Sequence, residues 1–186
     1  CIARMDELLQ HWLDSSEELY FCESTADFTL EETAKLLGKA LGSAVGADAV
    51  MVPIGEFHEG GVELRGGVTG KLYEGRINVD VAAGICPGVD GAYALMKMTG
   101  VQARELEKAG FDAAGDGNPF PYMLVTKGDA DLEDDTIYTI AFFMEGYTEE
   151  TAGKYGAEVC TGSLRDFLRT WLEEQKKVSP KGNPWE

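Results

Sequence analysis

The stretch LRGGVTGKLYEGRINVDVAAGICPG, residues 64–88, decides how this sequence is read. Its glycines are spaced like a loop that wraps a ligand, yet most of the side chains that would grip one are missing. Gly66, Gly67 and Gly75 are positions of backbone shape, where positive φ and close approach come easily only without a Cβ. Arg65 is a cation directly ahead of the glycine pair, and Thr69 offers a hydroxyl just beyond it.

Regular elements are expected on both sides of it. Upstream, Ile2, Met5, Leu8, Leu9 and Trp12 recur at helical spacing, and ELYFCES has strand composition. Thr29 and Glu32 form a capping box. The stripe Ala34, Leu37, Leu41, Ala44 and Val45 follows, with Gly46 as the stop. ADAVMVPI reads as a short buried strand. Downstream, AYALMKM reads as a strand, and Thr99 with Gln102 opens a helix that ends at Gly110. FDAAGDGNPF is a loop by its Gly, Asp, Asn and Pro content. PYMLVT and TIYTIAFFM are strands around an acidic turn, KGDADLEDD. Ser163 and Asp166 open the clearest helix, whose stripe is Leu164, Phe167, Leu168, Trp171 and Leu172. VSPKGNPWE reads as a frayed tail. Helices and strands alternate irregularly, so an α/β fold with mixed sheets is expected.

The bulk numbers bound the function. With 186 residues and 44% apolar content, one domain with a substantial core is possible. The net charge of −17 repels phosphate backbones and anionic lipid, which argues against nucleic-acid binding. A 20-residue apolar run is absent, so no membrane-inserting span is expected. The four cysteines are scattered without a CxxC pair and read as buried or semi-buried thiols. His58, between Glu56 and Glu59, reads as a solvated turn, and His11 as interfacial. These two histidines cannot supply a dinuclear metal centre. The Asp/Gly loop from Asp112 lacks two of the ligand positions of a calcium loop. No GxSxG elbow marks a serine hydrolase.

The order of motifs resembles the C-terminal domain of the 5′-nucleotidase family, the partner of a metallophosphoesterase domain. The family helix "LGNLVADAL…GAD" is similar to TAKLLGKALGSAVGAD, and "NGGGIR…G-x-I-T-x-x-D" is similar to LRGGVTGKLYEGRINVD. The family's "PFGN", strand and "LTG" helix start resemble CPGVDGAYALMKMTGVQARELEKAG, and "YTVA" resembles the end of DADLEDDTIYTIAF. The resemblance runs over about residues 29–175. It implies a four-layer α/β/β/α domain with mixed sheets at 29–176, led into by a linker helix and strand at 1–28 and followed by a tail at 177–186. It implies that an N-terminal metallophosphatase domain, carrying a divalent metal pair, precedes the linker. Family members are commonly exported, so an extracellular or cell-surface location is implied, with a cytoplasmic one left open.

The resemblance also implies a ligand cleft built from Arg65, Gly66, Gly67, Thr69, Asp90 and an aromatic ring from Phe143 or Tyr147. In the family two rings sandwich a purine, and arginines fork onto phosphate or ribose oxygens. This chain departs from that pattern. Thr69 stands where "NGGGIR" ends in Arg, Gly88 where "PFGN" has Phe, and Asp90 where it has Asn. No "GGDGY" loop follows YTIA. The expectation is a nucleoside- or nucleotide-type recognition domain, inactive alone and without a cofactor of its own, within a phosphoester hydrolase. The alternative is a non-catalytic binding or interaction module on the same fold, its nucleotide site decayed.

Overall fold

The structure is a computed structural model that describes residues 20–55, 57, 58, 61, 62, 68, 70–85, 91–110, 121–143, 156–183 and 185; for 57, 58, 61, 62, 91, 92 and 143 it describes the backbone alone. The helix expected over residues 2–12 and the Asp/Gly loop from Asp112 lie outside these residues.

Two mixed sheets carry the fold. Strand β1 (Cys22–Ser24) belongs to a three-stranded sheet with β5 (Gly75–Ile77) and β10 (Lys177–Val178), in the order β10-β1-β5. The larger sheet contains β2 (Ala49–Pro53), β6 (Gly91–Thr99), β7 (Tyr122–Thr126), β8 (Ile137–Phe143) and β9 (Glu158–Gly162), in the order β7-β2-β8-β6-β9. Within it only β2 and β8 are parallel neighbours; the other pairs are antiparallel. A short hairpin joins β3 (Phe57–His58) to β4 (Gly61–Val62). The α/β class with mixed sheets is the one expected.

Every residue of β2 is buried, so the sheet must be covered on both sides. Alternation sends Val50 and Val52 to one face, Ala49 and Met51 to the other. Helix α1 (Leu30–Val45) covers the valine face. Thr29 accepts from the Glu32 N–H while the Glu32 carboxylate accepts from Thr29 N–H, and the left-handed Gly46, at φ 67°, closes the last turn. Helix α3 (Gly100–Ala109), capped in the same way by Thr99 and Gln102, covers the Met51 face with Ala103 and Leu106. Helix α2 (Val79–Ile85) and helix α4 (Leu164–Gln175) pack against each other, and α4 also packs on α1.

Several details differ from expectation. Ala44 is exposed, whereas Leu36 and Ala40 are buried. Helix α1 is covered by both the sheet and α4, which widens its buried arc beyond one stripe. In α4, Leu164, Leu168, Trp171 and Leu172 are buried and Phe167 is half-buried, so the stripe faces inward. Ser163 accepts from Asp166 N–H at 3.2 Å. The reciprocal half of the box is not made, since Asp is one methylene shorter than Glu. Helix α2 comes from the glycine-rich stretch, where Asn78 caps it by accepting from Val81 N–H at 2.9 Å.

The largest correction concerns the C-terminal stretch. It is not a frayed tail: Val178 is buried in β10, and Trp185 is 3% exposed. The Trp185 carbonyl accepts from Gly128 N–H at 2.9 Å. Its ring lies over Gly42 of α1, where a Cβ would stand 2.2 Å from the indole. Apolar area outweighs the end-fraying that a Pro/Gly-rich terminus otherwise shows. Trp185→Ala is expected to cost about 3–5 kcal/mol as a core truncation, and Gly42→Ala about 1–3 kcal/mol by displacing the indole. Urea unfolding of the two variants checks this; unchanged midpoints would contradict it.

Candidate ligand-binding site

One described residue ties the glycine-rich stretch to the end of β2. Val68, fully buried, forms a parallel bridge with Ile54 just beyond β2. Its N–H donates to Pro53 O at 2.8 Å, and its carbonyl accepts from Gly55 N–H at 3.0 Å. These bonds fix the chain between Gly67 and Thr69 at the carboxyl end of β2.

Strand register brings two more anchors to that end. Because β8 is parallel to β2, with Met51 opposite Phe142, its carboxyl end at Phe143 points the same way. Because β6 is antiparallel to β8, with Tyr93 opposite Phe143, its first residue Gly91 also lies there. Gly91 follows Asp90 in the chain. Arg65, Gly66, Gly67, Thr69, Asp90 and Tyr147, and the side chain of Phe143, lie outside the described residues. Their chain neighbours Val68 and Gly91, and the backbone of Phe143, are gathered at one end of one sheet. Ligands of open α/β sheets bind outside the carboxyl ends of strands, because loops diverge there and leave a crevice.

Aromatic and cationic side chains that sequence reasoning passed over stand at the same end. Tyr93 meets Phe167 of α4 edge-on, with ring centroids 6.0 Å apart at 74°. Partial burial, then the neighbouring Cys160 sulfur, push the Tyr93 phenol upward, so it stays a neutral donor at physiological pH. Gly162, opposite Gly91, leads into the first turn of α4. A groove of about 420 Å³ opens beside that turn, lined by Phe21, Val79, Ala82, Arg165 and Arg169. Arg169 is held by Glu173 at 2.7 Å and lies 5.9 Å over the Phe21 ring. In sequence both arginines look like the polar face of a helix, and Tyr93 like any strand tyrosine. The nearest signal was a Tyr at the third position of a glycine-led strand.

Among the described residues no group of three His, Cys, Asp or Glu could hold a metal ion. Among them, too, no helix is long and apolar enough to cross a membrane.

No protein-family model matches the chain, and no curated protein sequence matches it. Solved structures do. A 5′-nucleotidase precursor from Thermus thermophilus superposes with TM-score 0.56 at 10% identity, over 93% of this chain and 40% of that one. The NAD nucleotidase NadN of Haemophilus influenzae gives 0.57 at 11%, over 98% and 40%. The sulfate thiohydrolase SoxB of Thermus thermophilus, in complex with glycerol, gives 0.55 at 12%, over 98% and 38%. The fold is of the 5′-nucleotidase C-terminal-domain type. The chain spans about two fifths of the length of each protein it matches.

The two described thiols differ in a way that can be measured. Cys22 is buried in β1, and desolvation pushes its thiol from 9.0 up to about 11. Folding stability tied to that proton is present below about pH 9 and is lost as pH rises toward about 11. Cys160 lies half-exposed in β9. Iodoacetamide at pH 8 is expected to label Cys160 ahead of Cys22 in native protein, and both equally in urea, as read by peptide mass mapping. Equal native rates would contradict the burial of Cys22.

Proposed function

We propose that this chain is the nucleoside- or nucleotide-recognition domain of a 5′-nucleotidase-like phosphoester hydrolase, and that it is not catalytic alone. One observation carries the reading: the register that brings Val68, Gly91 and Phe143 to one end of the five-stranded sheet. The fold likeness supports it, as does a chain length that matches only part of each similar protein. In this proposal the hydrolytic chemistry, with a divalent metal pair, belongs to an N-terminal metallophosphoesterase domain of the same protein. The two histidines of this chain do not fit that pair.

Roles follow from side-chain chemistry. Arg65 supplies forked donors to a ribose or phosphate oxygen. Gly66 and Gly67 let the backbone approach the ligand closely. Thr69 and Asp90 offer a hydroxyl and an acceptor to sugar hydroxyls, and Phe143 or Tyr147 supplies one stacking ring. A phosphate there meets Asp90 and the field of a chain at −17, without the paired arginines that would offset them. An uncharged nucleoside avoids that repulsion. An exported parent protein fits the same reading.

Calorimetric titration of the chain is expected to show adenosine binding more tightly than AMP, and neither tightly, because one ring forfeits half of a sandwich. Submicromolar AMP binding that disappears in Arg65→Ala would overturn the charge argument. No binding of either ligand would favour the decayed-site module instead. The chain is also expected to release no phosphate from AMP with Mn²⁺ or Zn²⁺; turnover abolished by a chelator would contradict the assignment of catalysis to another domain.

A further inference from the structure

A second cleft lies away from the sheet end, between the outer side of α1 and the loop of residues 179–183. Its volume is about 170 Å³, and its lining includes Lys35, Lys39 and Lys181 with Glu32, Asp129 and Trp171. Three ammonium groups around one small space are notable in a chain with 16 basic and 33 acidic residues.

The state of Lys39 is the decisive detail. Its side chain is only 13% exposed, and among the described residues its ammonium has one acceptor, Asp129 Oδ2, at 3.4 Å. That distance lies beyond the usual 2.7–3.2 Å of an N–H···O bond, and an ammonium carries three protons to place. An ammonium held by one long contact at the wall of a cleft has protons to offer a further acceptor. The two carboxylates do not cancel the three cations. Glu32 is already bound to Thr29 N–H at 2.8 Å as part of the helix cap, and Asp129 is 60% exposed. Among the described residues of the lining, three positive charges stand against two negative ones, a balance of +1 within a chain at −17.

We propose that this cleft binds a small tetrahedral oxyanion, either inorganic phosphate or a terminal phosphate or sulfate group. Lysines suit such a guest because they act as compact point charges that need no bidentate plane. The volume is below the roughly 300–1,000 Å³ of pockets that hold drug-sized ligands, so a whole nucleotide does not fit. Lys39 gains further acceptors, and Lys35 and Lys181 contribute charge from the rim. The site is independent of the nucleoside reading above and stands whether or not that reading does.

The test is the thermal unfolding midpoint of the full chain in increasing phosphate or sulfate, against chloride at matched ionic strength. A ligand of the native state raises the midpoint saturably. Phosphate and sulfate are expected to raise it where chloride does not. The apparent affinity should fall by about tenfold or more in the double variant Lys35→Gln/Lys181→Gln, which removes two charge-assisted contacts. Both positions are on the exposed rim, so that variant stays informative even if Lys39→Met fails to fold. A phosphate shift no larger than that of chloride would overturn the proposal, as would an equal shift in wild type and double variant. Loss of the shift in Arg65→Ala would place the anion at the sheet end and overturn it as well. A response to phosphate alone, with none to sulfate, would narrow the guest to a phosphate group while upholding the site.

Discussion

Strand β2 buries all five of its residues, and that constraint organises the molecule. A strand with two apolar faces is stable only when both are covered, and each large side chain it buries contributes about 1.5–3 kcal/mol. Helix α1 meets Val50 and Val52, and helix α3 meets the side of Ala49 and Met51. The rest builds on those two contacts. Helix α4 seals the outer side of α1, the three-stranded sheet adds Cys22, Ile77 and Val178 to the same core, and Trp185 fills the space that Gly42 leaves open.

The candidate binding site is a by-product of how β2 is paired. Its parallel neighbour β8 sends the chain out at the same end of the sheet, and the antiparallel β6 begins there. The Val68 bridge to Ile54 then ties the glycine-rich loop to that end with two backbone hydrogen bonds. Rigid strands therefore hold the loops to which the proposal assigns ligand chemistry, the usual division between scaffold and function. The oxyanion cleft has a different origin. It arises where the C-terminal stretch folds back beside α1, so one terminal segment both completes the core and walls a polar space.

What was legible in the sequence was local. The boxes at Thr29–Glu32 and Thr99–Gln102 are four-residue patterns, and each opens a helix where it was expected. Strands β2, β6, β7 and β8 announced themselves by apolar runs between turn residues. Strands β9 and β10 did not, because neither is an apolar run and only pairing with β6 and β1 makes them strands. Trp185 was hidden for a related reason: its partner Gly42 lies far away in sequence, and nothing beside Trp185 signals burial. For the site, the order of motifs pointed to Arg65, Thr69, Asp90 and Phe143. The aromatic pair Tyr93–Phe167 and the arginines of α4 reach the same end only through register and helix placement, which no short motif encodes.

The central claim is that three segments distant in sequence serve one ligand at the carboxyl end of β2. Amide chemical-shift mapping of the full chain during an adenosine titration tests it directly. The account predicts that the amides of Val68, Gly91 and Phe143 shift together with one binding curve, while those of Ala103 on α3 and Val178 on β10 stay still. Saturable shifts centred on α3 or on the C-terminal stretch, with Val68, Gly91 and Phe143 silent, would contradict it.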